Sequence, residues 1–403
     1  MKSSPSSHVD HLGSLIRPKL LFDQRVLLEQ GKCSRGDLTP IEDAAVAHVV
    51  RLQRSLGLAT ITDGEMRREI FYEGVFDKLD GVTCRLRPMS EFMNYWPHIQ
   101  AFSAMGLTEL TSCFCSGKIR RNKPIMTEEF ETLKRLVPRK EVGRLKITMC
   151  PPTWFHTLHG THLTYDKSVY DSDEEYFADV GTVYRAEFKA LYALGCRNIQ
   201  LDEPTFTSFC NDEVLRNIQT AGINPDSLLD LYIHAINLCT RDRPRDLNVA
   251  IHLCRGNFAG GLPFTSGSYE NIAKKLFLNL DVDTFYLEYD DERSGSFLPL
   301  RFVPPTKKVV LGIVTTKHAE LENPDFLKAR IVEAVQILVN GAPPRAPEVA
   351  LAQLSISPQC GFASSWKGNP VTEQDVRAKI GLLHQVALDV WGASEQVAQM
   401  ARL

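Results

Sequence analysis

Two residues of types that bind metals, His252 and Cys254, lie two positions apart in the apolar segment 248–254. Side chains two apart on a strand point to the same side of the sheet, so both can reach one ion. Glu288 and Cys360 stand at the ends of two later apolar segments. One imidazole, one carboxylate and two thiolates are a donor set that suits tetrahedral zinc. The sequence therefore predicts a zinc site of His252, Cys254, Glu288 and Cys360.

These ligands are far apart in the chain, and the hydrophobic pattern supplies elements that can bring them together. Eight short apolar segments alternate with segments of helical periodicity. The predicted strands are 9–14, 59–65, 145–150, 198–203, 248–254, 284–289, 309–314 and 351–357. The predicted helices are 41–56, 174–194, 225–239, 268–278, 325–340 and 372–391. This α/β alternation predicts a (β/α)8 TIM barrel whose strand ends present the functional side chains on one face.

An open doubly wound sheet is the alternative fold. Such a sheet usually carries a glycine-rich phosphate-binding turn after its first strand, and neither common form of that motif is present. The stretch between the second and third predicted strands is too long for one crossover. We therefore predict one catalytic barrel over residues 1–403 with an inserted excursion, 83–140, over the barrel mouth. Its Cys113-Phe114-Cys115 motif is interpreted as buried or loop thiols.

Composition excludes several classes of protein. Of the 403 residues, 43% are apolar and 24% are charged, with a net charge of −3, which predicts no nucleic-acid or membrane partner. The chain has no long apolar run, and its opening residues lack the apolar region expected of a secretory signal. Its 10 dispersed cysteines do not indicate a disulfide framework. A cytoplasmic protein is expected. The final Ala401-Arg402-Leu403 resembles a peroxisomal address, with a frayed helix end as the alternative.

Five short motifs occur in an order that resembles a known family. They are His11-Leu12-Gly13-Ser14, Thr62-Asp63-Gly64-Glu65, Leu201-Asp202-Glu203-Pro204, His252-Leu253-Cys254-Arg255-Gly256-Asn257 and Pro358-Gln359-Cys360-Gly361. Together they resemble the C-terminal catalytic barrel of cobalamin-independent methionine synthase, and more closely its stand-alone bacterial and fungal relatives. The likeness runs from His11 to about Trp391.

The resemblance implies that the zinc site binds a substrate thiol as the thiolate. A free alkyl thiol has a pKa of about 8.5, so little of it is the nucleophilic anion at neutral pH, and a divalent metal removes the proton. Two thiolate ligands would also keep the bound sulfur rich in electrons. A zinc ion that activates water is typically held by more neutral ligands.

The resemblance also implies where the rest of the thiol substrate, homocysteine, binds. The backbone of the turn His11-Leu12-Gly13-Ser14 is similar to the segment that holds the carboxylate, and Glu65 and Asp202 are similar to the acids that hold the ammonium. Elementary chemistry agrees, because a zwitterion needs anions for its amine and N–H groups for its carboxylate. Asp202 is assigned a catalytic role as well.

Three further predictions concern the methyl donor. His318 lies near where the family places a histidine that handles protons, and a donor with a poor amine leaving group needs a general acid. Trp154 is interpreted either as a stacking surface for a flat ring or as a packing residue. An arginine cluster beyond the strand ends either receives an anionic donor or forms salt bridges: Arg17, Arg67, Arg68, Arg255 and Arg293.

The first functional hypothesis is a zinc-dependent S-methyltransferase that makes methionine from homocysteine. The donor is left open among a folate, a corrinoid protein and other compounds, and so is the oligomeric state. The alternatives are another zinc-dependent thiol alkyltransfer, a non-catalytic thiol or zinc binding protein, and a decarboxylase on a related barrel that needs no metal.

Overall fold

The strands of the computed structural model fall into a two-stranded hairpin and a six-stranded parallel sheet. The structure describes residues 4–104, 106–257, 264–393 and 397. The strands are β1 (Asp80–Pro88), β2 (Glu109–Arg120), β3 (Lys146–Met149), β4 (Asn198–Asp202), β5 (Asn248–Leu253), β6 (Thr284–Glu288), β7 (Lys308–Val314) and β8 (Leu354–Pro358). Strands β3 to β8 lie side by side in chain order, so each crossover joins neighbouring strands.

Two further segments close this sheet into a ring. Val9 pairs in parallel with Ile356 of β8, and Ile61 pairs in parallel with Leu145, beside β3. Between these two segments, the Ala59 N–H donates a hydrogen bond to the Val9 carbonyl at 2.9 Å. Eight parallel segments therefore surround one axis, which confirms the predicted barrel. The first two predicted strands contribute single bridges instead of longer ladders.

Helices cover the outside of the ring. They are α1 (Lys19–Glu29), α2 (Arg35–Ser55), α3 (Pro97–Ala104), α4 (Thr127–Leu136), α5 (Trp154–His159), α6 (Thr161–Thr164), α7 (Asp173–Leu194), α8 (Thr205–Ser208), α9 (Asp212–Thr220), α10 (Pro225–Thr240), α11 (Glu270–Asn279), α12 (Pro324–Val339), α13 (Pro347–Gln353) and α14 (Glu373–Trp391). All six predicted helices are present. Residues 351–353, predicted as strand, instead form the last turn of α13, because β8 begins only at Leu354.

Local sequence signals explain where several helices begin and end. Ser34 and Asp37 form a reciprocal capping box at the start of α2, and Thr372 and Asp375 do the same for α14. Helix α7 ends at Gly195, whose φ of 107° lies in the left-handed region that favours glycine. No helix among the described residues is long and apolar enough to cross a membrane. The terminal Ala401-Arg402-Leu403 lies outside the described residues.

The region predicted as an excursion contains the hairpin of β1 and β2, with α3 between its strands and α4 after it. Aromatic residues of this connection pack on the barrel. Trp96 contacts Phe209 edge to face, and His98 stacks on Trp154 with ring centroids 5.3 Å apart. His98 also contacts the ring of Phe264. The hairpin is therefore attached to the barrel by a cluster of rings.

One cysteine prediction is wrong. Cys84 of β1 and Cys113 of β2 are register partners and form a disulfide, whereas Cys113 was predicted to be a thiol. Antiparallel pairing explains the difference, because it brings two cysteines 29 residues apart in the chain directly opposite each other. Sequence spacing alone does not reveal that register. Cys115 is a buried free thiol, as predicted.

The inside of the barrel, below the strand ends, contains charged side chains that pair with each other and with hydroxyl groups. Lys146 is 1% exposed, and its ammonium donates to the His11 carbonyl at 2.5 Å. Asp10 accepts hydrogen bonds from the hydroxyls of Thr60 and Tyr286, each at 2.5 Å, and lies 3.7 Å from the Lys146 ammonium. Buried charges are tolerated when they are paired in this way.

Asp173, at the start of α7, joins three successive helices. Its carboxylate accepts hydrogen bonds from the hydroxyls of Tyr165, at 2.7 Å, and Thr161, at 2.8 Å, and lies 3.1 Å from His156 Nε2. Burial raises the pKa of Asp173, but the interactions with His156, Tyr165 and Thr161 outweigh burial and lower the pKa to about 2.

We expect Asp173→Asn to lower the free energy of unfolding by about 2 kcal/mol at pH 7, because the pKa difference between the folded and unfolded states is converted into stability. A lowered folded-state pKa stabilises the protein above the unfolded-state value. The difference between wild type and variant should therefore shrink as the pH falls from about 4 to 2. Urea unfolding across this range measures it. Asp171→Asn, an exposed neighbour, is the control, and a difference independent of pH would contradict the assignment.

Candidate active site

The register of two neighbouring strands places Asp202 beside His252. The two residues are paired partners of β4 and β5, so their side chains enter the barrel at the same level. Asp202 Oδ1 lies 2.9 Å from His252 Nδ1. This bond leaves His252 Nε2 buried and without a hydrogen-bond partner among the described residues. A histidine held through one nitrogen and free at the other is arranged as a metal ligand.

Two sulfur atoms lie next to this free nitrogen. The ligand atoms of His252, Cys254 and Cys360 all lie within 4.8 Å of one another, and this ligand triad is the one candidate metal group among the described residues. The Sγ atoms of Cys254 and Cys360 are 3.4 Å apart. Donation from Cys254 and the neighbouring His252 lower the pKa of Cys360, although burial opposes this. A free imidazole nitrogen beside two sulfurs fits zinc.

The pKa values of the other two triad members are shifted upward. Burial alone lowers the pKa of His252, but Asp202 and the Cys360 sulfur raise it to about 10. The bond to Cys360 and burial raise the pKa of Cys254. Of the two cysteines, Cys360 is therefore the one whose lowered pKa favours the thiolate.

Glu288, the fourth predicted ligand, lies close to the triad but outside it. Its Oε2 atom accepts the Arg255 N–H at 2.9 Å, and its Oε1 atom lies 3.2 Å from an Arg293 nitrogen and 3.9 Å from the Lys317 ammonium. Burial and the nearby Asp290 raise the pKa of Glu288 to about 8. Coordination by Glu288 stays a prediction.

The triad opens into a cavity with about 560 Å³ of empty space, including open solvent at its mouth. The cavity-lining residues are Leu12, Ser14, Glu65, Ile70, Phe71, Asp202, Pro204, His252, Cys254, Gly256, Asn257, Phe264, Cys360, Gly361 and Ser364. Acids and the triad form the inner part of this set, whereas Ile70, Phe71, Pro204 and Phe264 make an apolar wall. The structure thus brings together six predicted residues, Ser14, Glu65, Asp202 and the three members of the triad, in one cavity.

Glu65 and Asp202 each present a free oxygen. Glu65 Oε2 and Asp202 Oδ2 are buried and have no hydrogen-bond partner among the described residues. Burial raises the pKa of Glu65 to about 7, with Asp202 adding to the shift and Arg68 opposing it. Buried acceptors without partners are costly in the protein alone. A cationic group bound between the two acids would satisfy both oxygens.

The backbone of Glu65 is strained. Its φ of 59° lies in the left-handed region, which a side chain of this size rarely adopts. Two contacts hold it there: the Glu65 N–H donates to Asp63 Oδ1 at 2.9 Å, and Glu65 Oε1 accepts the Thr148 hydroxyl at 3.1 Å. Strain of this kind is common where a side chain must point into a functional site.

The turn 12–14 passes close to neighbouring elements. Gly13 has a φ of 120°, and a Cβ atom there would lie 2.6 Å from Thr148 Cγ2. A Cβ atom on Gly361 would lie 1.8 Å from the Ser14 hydroxyl. Both glycines are therefore required by close packing around the turn.

His11 is buried in the barrel interior and is absent from the cavity lining, so its predicted contact with substrate remains a prediction.

Two residues predicted for the donor side, Trp154 and His318, do not line the cavity, and their roles toward a donor stay predictions. Trp154 is fully buried and stacks on both Tyr72 and His98, so it packs the aromatic cluster and presents no open face to a ligand. The side chain of His318 is 56% exposed, lies 3.9 Å from Glu320 and does not line the cavity. Its position after β7 carries it outward into solvent.

The five predicted arginines are engaged elsewhere. Arg17 donates to the carbonyls of Leu15, Ala363 and Arg68. Arg67 pairs with Asp43, Arg68 donates to Thr148, and Arg293 pairs with Asp291 and Glu288. Arg255 lies over the Tyr269 ring at 4.3 Å. They act as structural partners in this conformation, and the described cavity lining contains no arginine.

Sequence reasoning missed the side chains that hold the acids. Gln200, two residues before Asp202 on β4, donates to Asp202 Oδ1, and Arg68 lies 3.8 Å from Glu65. Strand alternation was the available signal for Gln200, because residues two apart share a face. Salt bridging was one of the two roles predicted for Arg68, but its partner Glu65 was not predicted.

Comparison with known proteins gives one family. Residues 158–387 match the family model for the catalytic domain of cobalamin-independent synthase. The uncharacterized protein YxjH of Bacillus subtilis (strain 168) is 34% identical over 384 residues, which cover 95% of this chain and 94% of YxjH. A methionine synthase of Sulfurisphaera tokodaii is 23% identical over 352 residues, 87% of this chain and 84% of that one.

A solved structure gives the same result for the fold. A candidate vitamin B12-independent methionine synthase from Listeria monocytogenes superposes with a TM-score of 0.71 at 28% identity. The alignment covers 96% of this chain and 98% of the Listeria chain. The likeness therefore extends over the barrel and the hairpin together.

We expect Gly13→Ala to lower the free energy of unfolding by about 3 kcal/mol, because it combines an unfavourable φ with overlap on Thr148. Gly31→Ala is the matched control, since Gly31 also has a positive φ, 66°, but nothing lies within 4 Å of its Cβ position. The control should cost about 1 kcal/mol. Chemical denaturation measures the free energy of unfolding of both variants. Equal decreases in the two variants would show that the turn is not closely packed.

Proposed function

The chain belongs to the cobalamin-independent methionine synthase family, and we propose that it is a zinc-dependent S-methyltransferase that converts homocysteine into methionine. The observation that carries the proposal is the shared cavity of the ligand triad and two acids with free oxygens. A metal site next to a site for an ammonium group suits a substrate that has both a thiol and an amine.

The chain's residues would hold homocysteine by its two ends. Glu65 Oε2 and Asp202 Oδ2 would accept hydrogen bonds from the ammonium group, which is the donor both oxygens lack. The turn 12–14, of which Leu12 and Ser14 line the same cavity, would bind the carboxylate. These contacts orient the thiol toward the ligand triad and reduce its freedom before reaction.

The ligand triad, with Glu288 as a fourth partner, would hold the zinc ion. Zinc supplies a Lewis acid that favours the deprotonated form of a substrate thiol. Asp202 holds the imidazole of His252 so that Nε2 points away from the carboxylate. Asp202 thus serves both the metal site and the amine site.

Methyl transfer forms a bond between the substrate sulfur and the methyl carbon while the bond from that carbon to the donor breaks. The electron pair of the broken bond leaves with the donor. Phe71 and Phe264 line the cavity and define an apolar wall against which the donor would lie. Exclusion of water by this wall would favour attack by sulfur. The identity of the donor remains open among a folate, a corrinoid protein and other compounds.

We expect purified protein to contain about one zinc ion per chain and Cys360→Ser to retain less than about a tenth of it, because a serine hydroxyl does not replace a thiolate ligand. Elemental analysis after dialysis measures both. Glu288→Gln should weaken zinc binding less, since the ligand triad remains complete.

Cys33→Ser is the control, because Cys33 is a free thiol that is absent from the cavity lining. Zinc in wild type that is undiminished in Cys360→Ser would refute the ligand set. Wild type that binds no zinc would favour the metal-free decarboxylase alternative instead. Zinc and thiol binding without turnover on any methyl donor would indicate the non-catalytic alternative.

We expect Glu65→Gln to weaken homocysteine binding by about 2 kcal/mol, because it removes a charged acceptor for the ammonium group. Binding of 4-mercaptobutyrate, which lacks the amine, should change little. Isothermal titration of the zinc-loaded protein measures both ligands. Glu69→Gln, an exposed acid four residues later, is the control. Equal weakening of the two ligands would exclude an amine contact at Glu65.

A further inference from the structure

Gln200 is a fully buried amide directly below the predicted amine site. It lies two residues before Asp202 on β4, so both side chains enter the barrel from the same strand face. Its Nε2 atom donates to Asp202 Oδ1 at 2.7 Å and to the Leu12 carbonyl at 2.7 Å. One NH2 group therefore joins the end of β4 to the turn that begins at Leu12.

The orientation of this amide is fixed by its surroundings. Both partners of the Nε2 atom, a carboxylate oxygen and a carbonyl oxygen, can only accept, so exchanging the amide nitrogen and oxygen would break both bonds. The Oε1 atom is buried and has no hydrogen-bond partner among the described residues. All of the hydrogen bonds that the side chain of Gln200 forms with described residues thus depend on its NH2 group.

The two bonds of Gln200 reach both halves of the predicted substrate site. Asp202 Oδ1 accepts from Gln200 and also faces His252 Nδ1, so this oxygen is occupied and Oδ2 is left for an incoming cation. The Leu12 carbonyl immediately precedes Gly13 and Ser14, the predicted carboxylate site. The spacing between the two sites is therefore set partly through one side chain.

We propose that Gln200 is a positioning residue that makes the site specific for an α-amino-acid thiol, by fixing the distance between the ammonium site and the carboxylate site. The proposal rests on the proposed function. Gln200 acts through Asp202 and Leu12 and does not line the cavity itself. A thiol that lacks the amino and carboxylate groups would be bound independently of Gln200.

The test compares four thiols on zinc-loaded protein by isothermal titration. Homocysteine carries both groups, 3-aminopropane-1-thiol lacks the carboxylate, 4-mercaptobutyrate lacks the amine, and propane-1-thiol lacks both. Gln200→Met keeps a similar shape but removes the donor group. We expect this variant to weaken homocysteine binding at least about tenfold, which corresponds to about 1.4 kcal/mol. The dissociation constant of propane-1-thiol should change by no more than about twofold.

The two singly truncated thiols should show intermediate losses, because each keeps one of the two contacts that Gln200 aligns. Zinc content should equal that of wild type. Gln200→Glu, which keeps the oxygen but replaces the NH2 group, provides a second variant if Gln200→Met does not fold. Gln200→Glu should also weaken the binding of homocysteine more than the binding of propane-1-thiol.

Gln353→Met is the matched control. Gln353 is also a buried amide whose nitrogen donates twice, to the carbonyls of Pro304 at 3.0 Å and Lys307 at 2.7 Å, before the start of β8. This variant should change stability without changing the preference among thiols.

Each outcome separates the positioning role from its alternatives. If both Gln200 variants weaken the binding of all four thiols equally, Gln200 has a general structural role and the proposal is overturned. Unchanged homocysteine binding in both variants would also overturn it. Wild-type protein that binds homocysteine no better than propane-1-thiol would refute the proposed amino-acid thiol substrate itself, whatever the variants do.

Discussion

The pairing of Asp202 with His252 is the interaction on which the rest of the site depends. It follows from the parallel register of β4 and β5, which places both side chains at one level inside the barrel. One carboxylate oxygen is used to hold the imidazole, so the free imidazole nitrogen and the free carboxylate oxygen are created together. A shift of β5 by one residue relative to β4 would turn His252 outward, away from Asp202, and would break the pairing on which both sites depend.

The buried carboxylates of Asp202 and Glu65 each have an unpaired oxygen, and neighbouring polar side chains hold both carboxylates in place. Gln200 does so for Asp202, and Thr148 with Arg68 does so for Glu65, whose backbone is also held in an unfavourable conformation. Each of these side chains has a buried polar group that would lower the stability of the fold if it had no hydrogen-bond partner. The barrel interior is polar for this reason, and the usual layers of branched apolar side chains are partly replaced by paired charges such as Lys146 and Asp10.

The sequence predicts the parts of this arrangement that follow from periodicity. Alternation of strands and helices predicts the barrel, and a spacing of two at the end of β5 predicts that His252 and Cys254 share a face. It does not predict which partner a long side chain selects. Glu288 binds Arg255 and Arg293, and His318 turns toward solvent, because local tertiary contacts determine both orientations. The Cys84–Cys113 pairing depends in the same way on a hairpin register that spacing does not specify.

The two sides of the cavity differ in how they are built, and this explains why the sulfur acceptor is better defined than the methyl donor. The acceptor side consists mainly of residues at or next to the ends of barrel strands, such as Asp202 and His252, whose positions are fixed by backbone hydrogen bonds between neighbouring strands. The donor side consists of Phe71, Phe264 and the aromatic residues of the hairpin behind them, which lie on loops and connections. Loops on this face are where barrels of one architecture differ, so a common thiol chemistry is compatible with different donors. In the proposed function, the choice of donor would therefore depend on the loops and the hairpin, whereas activation of the thiol would depend on the barrel.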